Sequence, residues 1–485
     1  MERPNLIYIF ADQLRYQSVG YAGDSKAQTP NIDRLRNESL DLFNAVSGHP
    51  VCAPYRASLF TGKYTTSTGM VINEIRLNPS HHPRCFAHIL NENGYDSAYI
   101  GKWHLYAAQF GNHLDPRNSF IPPGPDRLGF NGYFAAYNFH HNYYGSAAYY
   151  HLDSPGKIYC EAYEPDTQTN MAIEQLERLG RKNKPFGLFL SLGTPHLPWT
   201  PENVPGKYME RFKDTEFTLP ENYLPKNDPY ADRWAQLNEK ERNDLTSWMK
   251  IYYAMTANLD DNIGRLMAAI KNLGLEDNSI IIFTSDHGEL FGAHGRHAKN
   301  IFYDEAVRVP FLLKWKGRFT ANSSRDICLN TVDIMPTLLS MMELPVPEAV
   351  EGKDLKDALF GKPGAFEPEG ALMMGTGATA IFEDGHEWRA YRTKRYTYAV
   401  YRVDNRELLF DNQVDPLQMK DLAGDPAYAG IKASLRDKMR FKMAEINDTF
   451  ECCTWYEKNW VRDRLIKRTA LMDCIRITGS ASCSE

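Results

Sequence analysis

Four short apolar runs, each ending abruptly in polar residues, constrain this chain more than any other feature. Asn5 to Phe10 runs into Asp12 and Gln13, and Tyr95 to Ile100 into Gly101-Lys102-Trp103-His104. Phe186 to Leu192 runs into Thr194-Pro195-His196, and Ser279 to Thr284 into Ser285-Asp286-His287-Gly288. Runs that are apolar almost throughout suit central strands of a sheet covered on both faces. Helical segments lie between them. Thr29-Pro30 reads as a cap and first-turn proline leading into a helix over Asn31 to Leu42. Leu245 to Leu273 places Ile251, Met255, Leu259, Ile263, Met267 and Ile270 at helical spacing, and Gly274 ends it. Strands alternating with helices predict an α/β fold with a large mixed, mostly parallel sheet flanked by helices. Such sheets gather ligands at the carboxyl ends of their strands. One polar strand end could merely begin a loop; four carrying Asp, Lys, His and Asp-His point to a shared crevice.

After about residue 370 the texture changes. Trp388 to Arg392, Tyr396 to Val403 and Glu407 to Asp411 read as hairpin strands, and Tyr428 to Ile446 as a closing helix. The expected division is a catalytic domain over 1–370 and a C-terminal α+β subdomain, with a small antiparallel sheet and that helix, over 371–485. Lys and Arg total 55 against 61 Asp and Glu, a net charge of −6, which gives no reason to expect nucleic acid. No apolar run approaches the ~20 residues of a membrane span, so no membrane partner is expected. Met1-Glu2-Arg3-Pro4 leads straight into the first strand without a leader. As written the chain reads as cytoplasmic, or as periplasmic or secreted if a signal peptide was trimmed. The eight cysteines (52, 85, 160, 328, 452, 453, 474 and 483) contain no CxxC pair, and most are expected to be free thiols.

The densest motif is Cys52-Ala53-Pro54-Tyr55-Arg56-Ala57-Ser58-Leu59-Phe60-Thr61-Gly62. Pro54 suits a first helical turn, so Cys52 falls at or just before a helix N-terminus, where unpaired amides and the helix dipole favour negative charge. Arg56, four residues on, shares that helical face and can brace an anion. Chance alone would give roughly 0.02 C-x-P-x-R matches in a chain with this many cysteines.

C-x-P-x-R followed by Leu59-Phe60-Thr61-Gly62 resembles the signature of the type I, formylglycine-dependent sulfatases of the alkaline-phosphatase-like superfamily, and in particular bacterial carbohydrate sulfatases. The likeness continues through the four strand ends, Lys299, Tyr303-Asp304-Glu305-Ala306-Val307-Arg308-Val309-Pro310, Trp388-Arg389, Glu407-Leu408 and Asp415-Pro416, spanning about residues 4 to 448. The resemblance implies that Cys52 is converted to formylglycine by a formylglycine-generating enzyme. One hydroxyl of the aldehyde hydrate would attack sulfur and displace the alcohol, and the other would eliminate sulfate, a covalent route split into two easier steps. It further implies that Asp12, Gln13, Asp286 and His287, with residue 52, hold a metal. Oxygen donors of that kind suit Ca²⁺, with Mg²⁺ second. Lys102 and Lys299 match lysines that hold the sulfate oxygens, His104 a histidine bonded to the hydrate, and His196 the acid for the leaving alcohol. Arg56 is expected to steady the hydrate and the helix start. Two positions depart from the family: His287 stands where many relatives carry Asn, and Tyr55 where they carry Ser.

Tyr133 to Tyr150 holds eight Tyr or Phe in 18 residues, against 12% along the chain. His140, His141 and Asn142 lie among them, and rings mixed with imidazoles and amides suit a sugar. These three, with His294 and Arg296, are the candidate substrate-binding residues, and the expected substrate is a small-molecule or oligosaccharide sulfate ester. The rival within the superfamily is a formylglycine-dependent phosphodiesterase or phosphonate monoester hydrolase. The rival of another class is a non-catalytic glycan-binding protein with an unmodified Cys52. A cysteine phosphatase needs C-x₅-R, whereas Cys52 to Arg56 is C-x₃-R.

Overall fold

The computed structural model describes residues 3–108, 115–144, 148–182 and 184–472, so Cys474 and Cys483 lie outside the described residues. Eight strands form the main sheet: β1 (Asn5–Asp12), β2 (Leu40–Asp41), β3 (Asp96–Lys102), β4 (Tyr133–Tyr137), β5 (Phe186–Pro195), β6 (Ser279–Ser285), β7 (Phe311–Trp315) and β8 (Ser323–Ser324). Their spatial order is β8-β2-β7-β6-β1-β5-β3-β4. The adjacent strands β6, β1, β5, β3 and β4 run parallel, and β7 runs antiparallel to both its neighbours. The absence of alternation in β1 has a direct cause. Leu6, Tyr8 and Phe10 enter one core, Ile7, Ile9 and Ala11 enter another, and every residue of the strand is buried.

Helices α1 (Pro30–Asn37), α2 (Cys52–Thr61), α3 (Glu164–Gly180) and α4 (Glu239–Asn272) cover these faces. Ala53, Tyr55, Ala57, Leu59 and Phe60 of α2 join the first core, while Leu176 of α3 and Leu259, Ile263 and Leu266 of α4 join the second. Two expected boundaries move. The helix expected over Asn31 to Leu42 ends at Asn37, because Leu40 and Asp41 pair with β7. Thr29 does not cap that helix with its side chain; Asp260 of α4 instead accepts from the amides of Asn31 and Ile32. The long helix α4 begins at Glu239, six residues before the apolar repeat, because Asn238 and Glu241 form a reciprocal capping box.

A second, four-stranded antiparallel sheet is built from β9 (Gly370–Gly375), β10 (Trp388–Thr393), β11 (Tyr396–Tyr401) and β12 (Glu407–Asp411) in that order. Met373, Trp388, Ala390 and Phe410 of one face pack on Ile301, Phe302 and Tyr303; Leu372, Met374 and Leu409 of the other pack on Leu435, Met439 and Met443 of α5 (Ala429–Glu445). Beyond it, α6 (Cys453–Trp460) returns Cys453, Tyr456 and Trp460 to the main core. Among the described residues no helix is long and apolar enough to cross a membrane.

Candidate active site

Because β6, β1, β5 and β3 are adjacent and parallel, their carboxyl ends open on one edge of the sheet. That places Asp286 just beyond β6, Asp12 and Gln13 at the end of β1, His196 just beyond β5, and Lys102 at the end of β3. Gly101 makes the last approach possible. Its φ is +106°, and a Cβ there would lie 2.0 Å from the Ser191 carbonyl oxygen of β5. Helix α2 points its first residue at the same edge, so Cys52 meets the strand ends with 1% of its surface exposed.

Around Cys52 Sγ lie Lys299 Nζ at 3.1 Å, His287 Nε2 at 3.3 Å, and Lys102 Nζ and Asp12 Oδ1 each at 3.7 Å. Burial and Asp12 push the thiol pKa up, but Lys102, Lys299 and His287 outweigh them and bring it down to about 7. Lys102 is held by Asp12 Oδ2 at 2.7 Å. Burial opposes the Asp12 charge, and Lys102, His196, Lys299 and Arg56 together hold its carboxyl well below the usual range. Lys299 also donates to Gln13 Oε1 at 3.2 Å and meets His196 Nε2 at 3.0 Å. His196 Nδ1 faces the Leu197 carbonyl at 2.8 Å, which fixes the proton on Nδ1 and turns the Nε2 lone pair towards Lys299. Burial first, then Lys299, keeps this imidazole neutral.

The guanidinium of Arg56 is fully buried and bonds the Lys102 carbonyl and Ser191 Oγ at 2.6 Å each, Asp12 Oδ2 at 3.1 Å and Asp286 Oδ2 at 3.3 Å. It clamps the two carboxylates to the sheet edge. His104 lies against Phe139, ring centroids 4.8 Å apart, in a left-handed backbone conformation. Among the described residues neither of its ring nitrogens has a hydrogen-bond partner, and burial followed by Lys102 and Arg56 holds the ring well below its ordinary pKa. Tyr55 turns into the core, its hydroxyl 3.4 Å from that of Tyr8, so this departure from the family pattern leaves the site untouched.

Asp12, Cys52, Asp286 and His287 each offer a ligand atom, and these atoms lie within 4.8 Å of one another. Asp12 Oδ1, which neither Lys102 nor Arg56 occupies, faces His287 Nε2 at 3.8 Å, and Asp286 Oδ1 is 3.5 Å from the same nitrogen. Two buried carboxylates facing one another fit a hard divalent cation, and the Gln13 amide oxygen, which meets Lys299, can join them; the imidazole of His287 is the unusual member for Ca²⁺.

The aromatic segment divides. His141 stacks on His196 at 4.9 Å with rings 8° from parallel, so it borders the site, and Asn142 is exposed beside it. His140 turns inward between Tyr137 and Tyr149 and meets Glu164 Oε2 at 3.2 Å, a carboxyl that burial pushes up to about 8. His294 and Arg296 are corrected as pocket residues. His294 stacks on Tyr303 at 3.6 Å and bonds Asn222, while buried Arg296 donates to Asp228 at 2.7 Å. The tight turn after Leu290 sends both into the packing of the second sheet and releases the chain towards Cys52 only at Lys299.

Three contributors were not read from sequence. Ser191 anchors Arg56, Asn73 Oδ1 caps the Ala53 amide of α2 at 2.9 Å, and Glu289 accepts from Gln13. Glu289 directly follows Ser285-Asp286-His287-Gly288 and could have been flagged; Asn73 lies in a loop with no local signal.

A family model described as Sulfatase matches residues 4–344. The chain belongs to the sulfatase family. Members of this family hydrolyse sulfuric esters, and this sulfatase gathers Cys52, Lys102, Lys299, Asp12 and Asp286 in one buried cluster. A second model, described as the C-terminal part of N-sulphoglucosamine sulphohydrolase, matches residues 292–445. The sulfatase is 36% identical to an ulvan-active sulfatase of Formosa agariphila over 94% of this chain and 84% of the relative. It is 28% identical to an endo-4-O-sulfatase of Bacteroides thetaiotaomicron over 96% and 95% of the two chains. A crystal structure from Bacteroides fragilis, assigned as a sulfatase, superposes with a TM-score of 0.80 at 30% identity, over 94% of this chain and 98% of that one.

Proposed function

We propose that this sulfatase removes sulfate from a carbohydrate, using residue 52 as formylglycine beside a bound Ca²⁺. The observation that carries the reading is the placement of Cys52 Sγ between two lysine ammoniums, at 3.1 and 3.7 Å, with Asp12 and His287 on its other sides. A sulfate ester bears its charge on peripheral oxygens, and fixed cations around the attacking atom favour the transition state over the ground state. As an aldehyde hydrate, residue 52 supplies two hydroxyls on one carbon, one for attack on sulfur and one whose collapse to a carbonyl frees sulfate. A formylglycine-generating enzyme is the maturation partner this requires. Asp12, Gln13, Asp286 and His287 would hold Ca²⁺, which when bound adds positive charge against the sulfate oxygens.

The chain's own side chains divide the remaining work. Lys102 and Lys299 grip the sulfate oxygens, and Lys299 leaves His196 Nε2 as it does so. With Lys299 withdrawn, His196 takes up a proton from solvent at Nε2 and delivers it to the departing alcohol oxygen, returning to the neutral ring. His104, whose buried ring nitrogens lack partners among the described residues, bonds a hydroxyl of residue 52. Arg56 fixes Asp12 and Asp286 so that neither drifts towards the lysines. The carbohydrate assignment rests on relatives named as an ulvan-active sulfatase, an endo-4-O-sulfatase and an N-acetylglucosamine-6-O-sulfatase, and on His141 stacked on His196, with the exposed Asn142 next in sequence.

The test is a screen of protein matured with its converting enzyme against sulfated mono- and disaccharides, with phosphate diesters and phosphonates alongside. Turnover of a sulfated sugar together with mass loss in the Cys52 peptide is expected. Turnover confined to phosphonates, or full activity with an unconverted thiol, would sink the reading.

A further inference from the structure

The permanently charged groups around Cys52 do not balance. Arg56, Lys102 and Lys299 supply three positive charges, while the carboxylates in contact with them, Asp12 and Asp286, supply two negative ones. A pocket with an excess of positive charge is a poor receptor for a second, divalent cation. One further carboxylate lies behind it. Glu289 is completely buried and, among the described residues, forms no ion pair. Its Oε2 accepts from Gln13 Nε2 at 2.5 Å, and its Oε1 accepts from the amides of Phe291 at 2.9 Å and Ala298 at 2.7 Å.

Those bonds fix which end of the Gln13 amide enters the pocket. An amide can present oxygen or NH₂ with little difference in shape. Here Glu289 can only accept, so it captures the NH₂, and Lys299 can only donate, so it meets the oxygen. We propose that Glu289 is a positioning residue for the cation site: it orients Gln13 oxygen-first and relays a negative charge through that amide, so that a neutral side chain serves nearly as a carboxylate would. The same carboxylate holds the Ala298 amide, one residue before Lys299, so it sets the two sides of the pocket together. This rests on the reading of Gln13 as a cation ligand.

A charge swap separates this role from simple loop support. In Glu289→Gln, the new side-chain oxygen must still accept from Phe291 and Ala298, so its NH₂ confronts that of Gln13, and Gln13 turns its own NH₂ into the pocket. In the double variant Gln13→Glu with Glu289→Gln, residue 289 donates to residue 13 instead, and all the hydrogen bonds survive with one polarity reversed. The full-length protein is titrated with Ca²⁺ alone by calorimetry, with circular dichroism to verify folding. Outer ligand partners of this kind are commonly worth ~10–100-fold in metal affinity. Glu289→Gln is expected to weaken Ca²⁺ binding at least tenfold, on that scale, and the double variant to restore it to within about threefold. A single variant that binds like wild type, or a double variant no tighter than the single one, overturns the inference. If the single variant does not fold, the double variant against wild type decides it. Wild-type protein that takes up no divalent cation would overturn the metal reading itself, and this inference with it.

Discussion

Lys299 Nζ lies 3.1 Å from Cys52 Sγ and 3.0 Å from His196 Nε2, so one ammonium joins the proposed nucleophile to the imidazole proposed to protonate the leaving group. Neither neighbour is close in sequence; Lys299 is 247 residues from Cys52 and 103 from His196. In the resting site burial, and then the ammonium, keep the imidazole neutral. On the proposed mechanism, a bound sulfate anion would draw the ammonium away, which would tie recruitment of the acid to occupancy by the correct charge.

Replacing Lys299 by Met should therefore cost more than one sulfate contact. A fall in kcat of ~10²–10³ is expected, the scale for loss of one charge-stabilising donor. Steady-state kinetics on a sulfated sugar checks it, and a variant altered only in KM would contradict the role.

His196→Ala should separate substrates by leaving group. A sugar alcohol departs poorly without a proton, whereas an acidic phenol needs none. Loss of ~10²–10⁴ is expected on sugar sulfates, the usual worth of general acid catalysis, with a much smaller loss on an aryl sulfate of low phenol pKa. Equal losses on both would remove His196 as the acid.

Arg56→Ala leaves the buried Asp12 and Asp286 without their shared partner. Breaking a buried ion pair on one side typically costs about 3–5 kcal/mol. Urea unfolding should show a loss of that size, and added Ca²⁺ should recover part of it by binding only the folded state. A stability unchanged by the substitution would show the clamp to be unimportant.

Asp304, in a short helix between β6 and β7, is tied to the second sheet through Arg392 of β10, which donates to both carboxylate oxygens at 2.9 Å. Burial opposes its charge, but Arg392 and then Arg308 hold its pKa below the ordinary value. A depressed carboxylate contributes stability above its unfolded pKa, about 3.9, and loses that contribution as pH falls through the folded value. The stability gap between wild type and Asp304→Asn should be constant near neutrality and narrow below pH ~4. A gap that holds its size down to the acid transition would refute the linkage.

Chelation should suppress turnover, and Ca²⁺ should restore it better than Zn²⁺, because the donors are mainly oxygens. Restoration by Zn²⁺ alone would assign the cluster a different metal chemistry.

The identity of the strands and of α2 was written locally. Unbroken apolar runs and a proline in the first turn are short-range signals, and β1, β3, β5, β6 and α2 appear where those signals place them. Long-range pairing changed the edges: Leu40 and Asp41 left the expected helix to join β7. The same distinction governs the site. Asp12, Cys52, Lys102, His196, Asp286 and Lys299 were legible because each closes or follows a recognisable motif. That Arg56 clamps Asp12 and Asp286 was not, because spacing within a helix shows which face a side chain shares but not which oxygens wait opposite it. His294 and Arg296 follow Asp286 closely in sequence, yet a turn carries them to Tyr303 and Asp228.

By itself, then, the order of residues determined which elements form and which chemical groups stand at their ends, since both depend on neighbours a few positions away. Only the tertiary structure decided which groups meet. Asp12 and Asp286 share one guanidinium, Gln13 is turned by Glu289, and Lys299 reaches Cys52, because packing of the sheet and its helices sets distances that no local interaction encodes.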